Sequence, residues 1–204
     1  MTQAKQNYHH GGLRPALIAA GLDLIKNRAA DDLSLREVAR HVGVSATAIY
    51  RHFPDKQALL FALCEAGAAD MAALQQAAVD KAGGGEPGFQ AAGRAYIYFA
   101  LANPGLYRLM MATKASADHY DANASAMEGP MRILRGCVAS VLPGNASPLQ
   151  HKVTGLHAWS MVHGISMLML DGLVAPDGEV IDALVQMPIE RSLRGTKFPQ
   201  DEGL

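Results

Sequence analysis

The sequence predicts an all-α protein of about nine helices, with an N-terminal three-helix head containing a helix-turn-helix and a C-terminal helical body. Three observations carry this reading. Apolar residues recur at helical spacing in most segments, and no convincing run alternates apolar and polar residues as a half-buried strand would. Prolines fall mainly between these segments, at Pro54-Asp55, Asn103-Pro104, Pro143-Gly144 and Pro176-Asp177. Finally, two short helical segments meet at Gly43, the spacing of a helix-turn-helix.

Length and composition bound the rest. The chain has 204 residues, half of them hydrophobic, enough for a substantial core. No stretch of 18 uninterrupted apolar residues occurs, and the opening MTQAKQNYHHGG lacks the apolar centre of a signal peptide. A cytoplasmic protein without a membrane partner is expected. Cys64 and Cys137 have neither metal-ligand nor CxxC spacing and read as buried, reduced thiols. The net charge of −1 conceals an asymmetry: residues 1–56 hold eight Lys/Arg against five acids, hence +3, and the remainder ten against fourteen, hence −4. A basic head on an acidic body suits a DNA-binding segment joined to a core that does not bind DNA.

Residues 1–12 are polar and read either as an arm that follows a DNA groove or as a plain tail. The first helix, residues 13–28, carries Leu13, Leu17, Ala20 and Leu24 on one stripe, and Pro15 is tolerated in its first turn. Ser34 followed by Glu37 reads as a capping box opening a second helix that ends at Gly43. Ser45 then caps residues 46–53, where Val44 and Ile49 offer apolar anchors and Thr47, Tyr50, Arg51 and His52 form a polar run without an acid. Such a helix is sized for a major groove. Pro54 breaks it, and Asp55 caps a long helix to residue 80 with Lys56 in its first turn, where backbone amides and dipole also favour an anion. Residues 81–88, with Gly83-Gly84-Gly85, read as a flexible linker. Five further helices are expected over residues 89–101, 105–111, 120–142, 147–172 and 177–194.

VGVSATAIYRHFPDKQALL resembles the DNA-binding region of the TetR/AcrR family of transcriptional regulators, and YHHGGLRPALIAAGLDLI resembles the arm and first helix of one subgroup. The likeness runs over residues 8–63. It implies a DNA-binding domain over residues 1–56, a ligand-binding and dimerisation domain over 57–204, and a double-stranded palindromic operator. By position, Arg36, Thr47 and Tyr50 become candidates at or near base edges, and Ser45, His52 and Lys56 candidates for phosphates. Position 46 is alanine where relatives often carry a longer polar reader, so Ala46 offers at most an apolar contact to a thymine methyl.

The body is rich in methionine: nine of the ten follow residue 70. Flexible, polarizable side chains line adaptable apolar pockets, and they also fill ordinary cores. The segment YIYFALANPGLYRLMM resembles one common in the ligand-binding cores of this family and supplies Phe99 and Met110 as candidates, beside Met127, Met131 and Met167. Trp159 and His163 lie four apart on a helix that is apolar nearly all round and share a face. Together they either fix the polar end of a ligand or serve structure alone. WSMVHG resembles the Trp-His-Gly signature of one class of C-terminal domain in the family. The last two helices, with Val180, Ile181, Leu184, Val185 and Ile189, are expected to form the homodimer interface, and Pro188 to end or kink the final one.

No GxSxG, HExxH or supported carboxylate pair is present, His151, His157 and His163 spread over different helix faces, and the triple glycine lacks a following Gly-Lys-Ser/Thr. An enzyme, a cofactor and a metal site are not expected. The reading is a ligand-responsive regulator, a repressor that leaves its operator when a small apolar molecule fills the body. A sequence-tolerant architectural DNA binder and a small-molecule-binding helical enzyme are the alternatives.

Overall fold

Nine α-helices and a 3-10 turn (Ala30–Asp32) make up the regular structure of residues 12–112 and 127–186, which the computed structural model describes. In chain order they are α1 (Leu13–Ile25), α2 (Leu35–Val42), α3 (Ala46–Tyr50), α4 (Lys56–Ala82), α5 (Gly85–Ala102), α6 (Pro104–Ala112), α7 (Glu128–Val141), α8 (Pro148–Leu170) and α9 (Gly178–Gln186). They fall into two compact units. The first is Met1–Asp70 with Ala102–Glu128; the second is Met71–Leu101 with Gly129–Leu204.

In the first unit, α1 buries Leu17 and Ile25 completely and ends earlier than its apolar stripe suggests. A turn over residues 26–28 replaces its last few residues, and Arg28 there reaches Glu37 at 2.9 Å. That ion pair changes the start of α2. Ser34 Oγ accepts from Glu37 N at 3.2 Å, while the Glu37 carboxylate, engaged by Arg28, is not used to complete the reciprocal half of the capping box. Gly43 stops the helix at φ +80, a conformation that an L side chain adopts only under strain. Helix α3 is a single short turn anchored by Ile49, which is fully buried, and the chain then turns so that Phe53 enters the core. The Arg14 guanidinium lies 5.3 Å over the Phe53 ring and fixes α1 to the end of the motif. Asp55 Oδ1 accepts from Ala58 N at 2.8 Å and opens α4. Helix α6 closes the unit against α1 and the 3-10 turn.

In the second unit the expected linker is shorter than the glycine run suggests. Gly83, Gly84 and Gly85 all take positive φ, and α5 begins at Gly85 itself, with Gly88 N donating to Gly84 O at 2.9 Å. Helix α8 starts with a complete capping box: Ser147 Oγ accepts from Gln150 N, Gln150 Oε1 accepts from Ser147 N at 2.7 Å, and Pro148 occupies the first turn. Asp177 Oδ1 accepts from Glu179 N at 2.8 Å to open α9, and Arg94 on α5 pairs with Asp182 on α9. Ile181 and Val185 turn inward and are buried, whereas Val180, Leu149 and Leu168 are each about two-fifths exposed. The expected arm, the start of the helix expected from residue 120, and the end of the last helix, with Pro188 and Ile189, lie outside the described residues.

Candidate DNA interface and effector cavity

The order of caps in the first unit decides what α3 presents. Ser45 Oγ accepts from Ala48 N at 3.3 Å, which sets the helix start, and burial of Ile49 sets its rotation. Ala46, Thr47 and Tyr50 are therefore exposed, Tyr50 to 48%, and exposed Arg51 and His52 follow them. Arg36 is exposed on α2. Lys56 is less free than its sequence position suggests: Nζ donates to Asp31 O at 2.6 Å, tying the start of α4 to the 3-10 turn. All seven sequence-derived DNA candidates thus lie in the first unit, and six fall within residues 45–56.

The second unit holds a cleft of about 500 Å³, mouth included, lined by residues of α4, α5, α7, α8 and α9. Its wall is mainly aliphatic and aromatic, with Met131, Met161, Trp159 and Val185, and includes Gln75, Tyr96 and Cys137. Burial raises the Cys137 pKa, so the group stays a neutral thiol. Of the sequence-derived ligand candidates, Met131 and Trp159 line the cleft. Phe99, His163 and Met167 belong to the same unit without forming its wall, and Met110 and Met127 are buried in the first unit.

Tyr96, which the sequence offered only as one aromatic in a helical segment, connects the two residues that stood out. Trp159 Nε1 donates to its hydroxyl at 3.3 Å, and that hydroxyl lies 3.4 Å from His163 Nδ1. The tryptophan and imidazole rings are tilted by 56° with centroids 6.2 Å apart. An oxygen that accepts from Trp159 can donate its own proton to Nδ1, which requires the imidazole to carry its hydrogen on Nε2. Desolvation lowers the His163 pKa and favours this neutral form. Tyr96 and Gln75 were missed because their roles depend on neighbours brought from α5 and α8, which no local spacing encodes.

Comparison with known proteins follows the same division. Residues 17–63 match the family described as bacterial regulatory proteins, tetR family. Residues 89–191, half of the chain, match the tetracyclin repressor-like C-terminal domain. A tetracycline repressor protein, class A, from transposon 1721 of Escherichia coli is 46% identical over 50 residues, spanning 24% of this chain and 23% of that protein. The structure of a protein with unknown function from Rhodococcus sp. RHA1 is 32% identical, covers 94% of this chain and 98% of that chain, and superposes with a TM-score of 0.69. A TetR variant from Acinetobacter baumannii AYE, solved in complex with minocycline, shares the fold at 17% identity, with coverage of 91% and 96% and a TM-score of 0.60.

A helix-turn-helix head and a helical unit with an apolar cleft define a ligand-responsive, DNA-binding transcriptional regulator. The chain belongs to the TetR family, whose members are soluble DNA-binding transcription factors and not enzymes. Helix α4 is long and apolar enough to cross a bilayer, with mean hydropathy 1.3 over its most apolar window. In a soluble family that composition has another use: α4 buries Leu59, Leu63, Cys64 and Met71 in protein.

Proposed function

We propose that the protein is a cytoplasmic homodimeric repressor that holds a palindromic operator and releases it when a small, largely apolar molecule occupies the cleft of the second unit. The observation that carries this reading is the cleft itself, a mainly apolar space beside the Trp159–Tyr96–His163 chain, in a protein whose other unit exposes Thr47 and Tyr50 on a helix-turn-helix. Residues 1–56 form the DNA-binding domain and 57–204 the effector and dimer domain. In the head, Arg36, Thr47 and Tyr50 meet base edges, Ala46 meets a thymine methyl, and Ser45, His52 and Lys56 meet phosphates.

Dimerisation uses the last two helices. Leu149, Leu168 and Val180 are exposed on them, and a Cβ added at Gly164 would meet nothing within 4 Å, leaving room for close approach by a partner helix. Two-fold symmetry then makes the operator an inverted repeat with half-sites about a whole number of helical turns apart. The effector acts only through unequal affinity for the bound and released arrangements, and α4, which supplies residues to both units, is one of the three places where the chain passes between them.

Selection of bound sequences from a random DNA pool tests the reading. An inverted repeat is expected, occupied by one dimer. Equal affinity for selected and random DNA at moderate salt would replace the repressor by an architectural binder.

A further inference from the structure

The polar group that stands out in the cleft wall is the carboxamide of Gln75. This residue sits on α4, four positions after the fully buried Met71, and is 5% exposed. Its Nε2 donates to Ala92 O at 3.4 Å. Only the amide nitrogen can donate to a carbonyl, so this bond fixes which way round the carboxamide lies. Oε1 is left buried without a partner. A leucine or methionine would complete an apolar wall at this place without that penalty, since a buried acceptor that loses water and gains nothing is costly.

Nothing in the wall relieves it. The Tyr96 hydroxyl is used by Trp159 and His163, and the remaining described residues of the wall, such as Phe89, Met131, Ala158 and Val162, are apolar at their tips, apart from the weakly polar Cys137 thiol. Nor does solvent reach it, since Oε1 has less than 1 Å² of accessible surface. None of the described residues that line the cleft is charged. An ionised occupant would therefore enter without a counter-charge.

We infer that the effector is a neutral lipophilic molecule carrying a hydroxyl or N–H group, which donates to Gln75 Oε1 once a small turn of the carboxamide, held only by its 3.4 Å bond to Ala92 O, brings that oxygen to the cleft surface, while the rest of the molecule fills the apolar cleft. This rests on the cleft being the effector site, and it narrows the chemistry of what binds there. A lipophile of the same size without a donor leaves Oε1 unpaired and binds more weakly.

The test uses the full-length protein and three probes of equal heavy-atom count: 1-octanol, heptyl methyl ether and nonane. Fluorescence of Trp159, the only tryptophan in the chain, reports binding from the cleft wall. The unmodified protein is expected to bind the alcohol about tenfold more tightly than the ether, a typical effect of pairing or stranding one buried acceptor. Gln75→Met and Gln75→Leu should each bring that ratio to about one while still binding nonane; two variants guard against one that fails to fold. Equal binding of alcohol and ether by the unmodified protein, or a preference that survives both substitutions, overturns the donor while leaving the cleft as a ligand site. A fluorescence response to none of the three overturns the effector site and the donor together.

Discussion

The backbone N–H of Gly105, at the start of α6, donates to the Lys26 carbonyl at the end of α1 with a length of 3.1 Å. The two backbones meet there with no room for a side chain. A Cβ at Gly105 would fall inside the van der Waals surfaces of the Ile25 and Arg28 carbonyl oxygens. It explains why α1 stops short: carbonyls that would have continued the helix instead surround the first turn of α6. The bond makes α6 a direct support of the helix against which the helix-turn-helix packs.

Gly105→Ala should therefore act as a severe backbone clash rather than a mild side-chain change. Overpacking costs about 1–3 kcal/mol and sometimes more, and the clashing atoms here belong to the backbone and cannot rotate aside. A thermal melt should show a loss at or above the top of that range, or roughly 6–12 °C for a chain of this size. A melting temperature equal to that of the parent would mean that the α1–α6 contact is not formed in solution.

Tyr50→Ala and Lys56→Ala separate reading from holding. Tyr50 is half exposed, so its loss should change stability by only about 0.5 kcal/mol while weakening operator binding. If Lys56 holds a phosphate as proposed, Lys56→Ala should lower the salt slope of binding by about one. It also frees the Asp31 carbonyl, so a modest stability loss of about 1 kcal/mol should accompany it. Titrations of labelled operator at several salt concentrations give both quantities, and unchanged affinity in both variants would remove α3 as the reading helix.

Gly93→Ala is expected to stabilise the protein and narrow the cleft. Gly93 lines the cleft from within α5, and an added Cβ would stand 3.4 Å from Val185 Cγ1 and 3.5 Å from Val162 Cγ1, ordinary contact distances. Replacing a mid-helix glycine by alanine gains about 0.5–1 kcal/mol. The melting temperature should rise by a few degrees while affinity for the bulkiest cleft ligands falls; a lower melting temperature would show that the site is tighter than these distances.

His163 gives the fold a defined acid sensitivity. Its pKa is lowered in the folded chain from the ordinary 6.5, so the unfolded chain takes up the proton first as pH falls. Stability should be constant from this source above about pH 6.5 and decline below it, down to the folded pKa. Melts at pH 7.5 and 5.5 should show a larger loss for the parent than for His163→Gln. The same loss in both would place the sensitivity on other groups.

The head was legible because its determinants are local. Ser34, Gly43, Ser45 and Asp55 set helix ends within a few residues of themselves, and each works as its residue type suggests. Even there, one prediction met a competitor from outside the motif. Glu37 lies at the right spacing to finish the capping box, yet Arg28, nine residues away, holds its carboxylate. The charge pair also lowers the Glu37 pKa, chiefly through that hydrogen bond.

The cleft was legible only in part. Methionine content and the Trp159–His163 spacing singled out Met131 and Trp159, which line the cleft, but composition cannot say which methionines share a wall. Met110 and Met127 have the same chemistry and lie buried in the other unit. Likewise, α9 has an apolar face by spacing, yet Ile181 and Val185 turn toward their own subunit while Val180 stays exposed.

By itself, then, the sequence determined the helices, their caps and the DNA-reading motif, because each depends on backbone hydrogen bonds closed within three or four residues. Tertiary structure alone decided where Lys56 Nζ bonds, that Gly105 must lack a side chain, that Tyr96 joins Trp159 to His163, and that Gln75 keeps an unpaired acceptor. These last features join partners 17 to 79 residues apart in the chain, from Gln75–Ala92 to Lys26–Gly105. Packing of whole helices creates such neighbours, and hydrophobic periodicity specifies which face is buried without specifying what it meets.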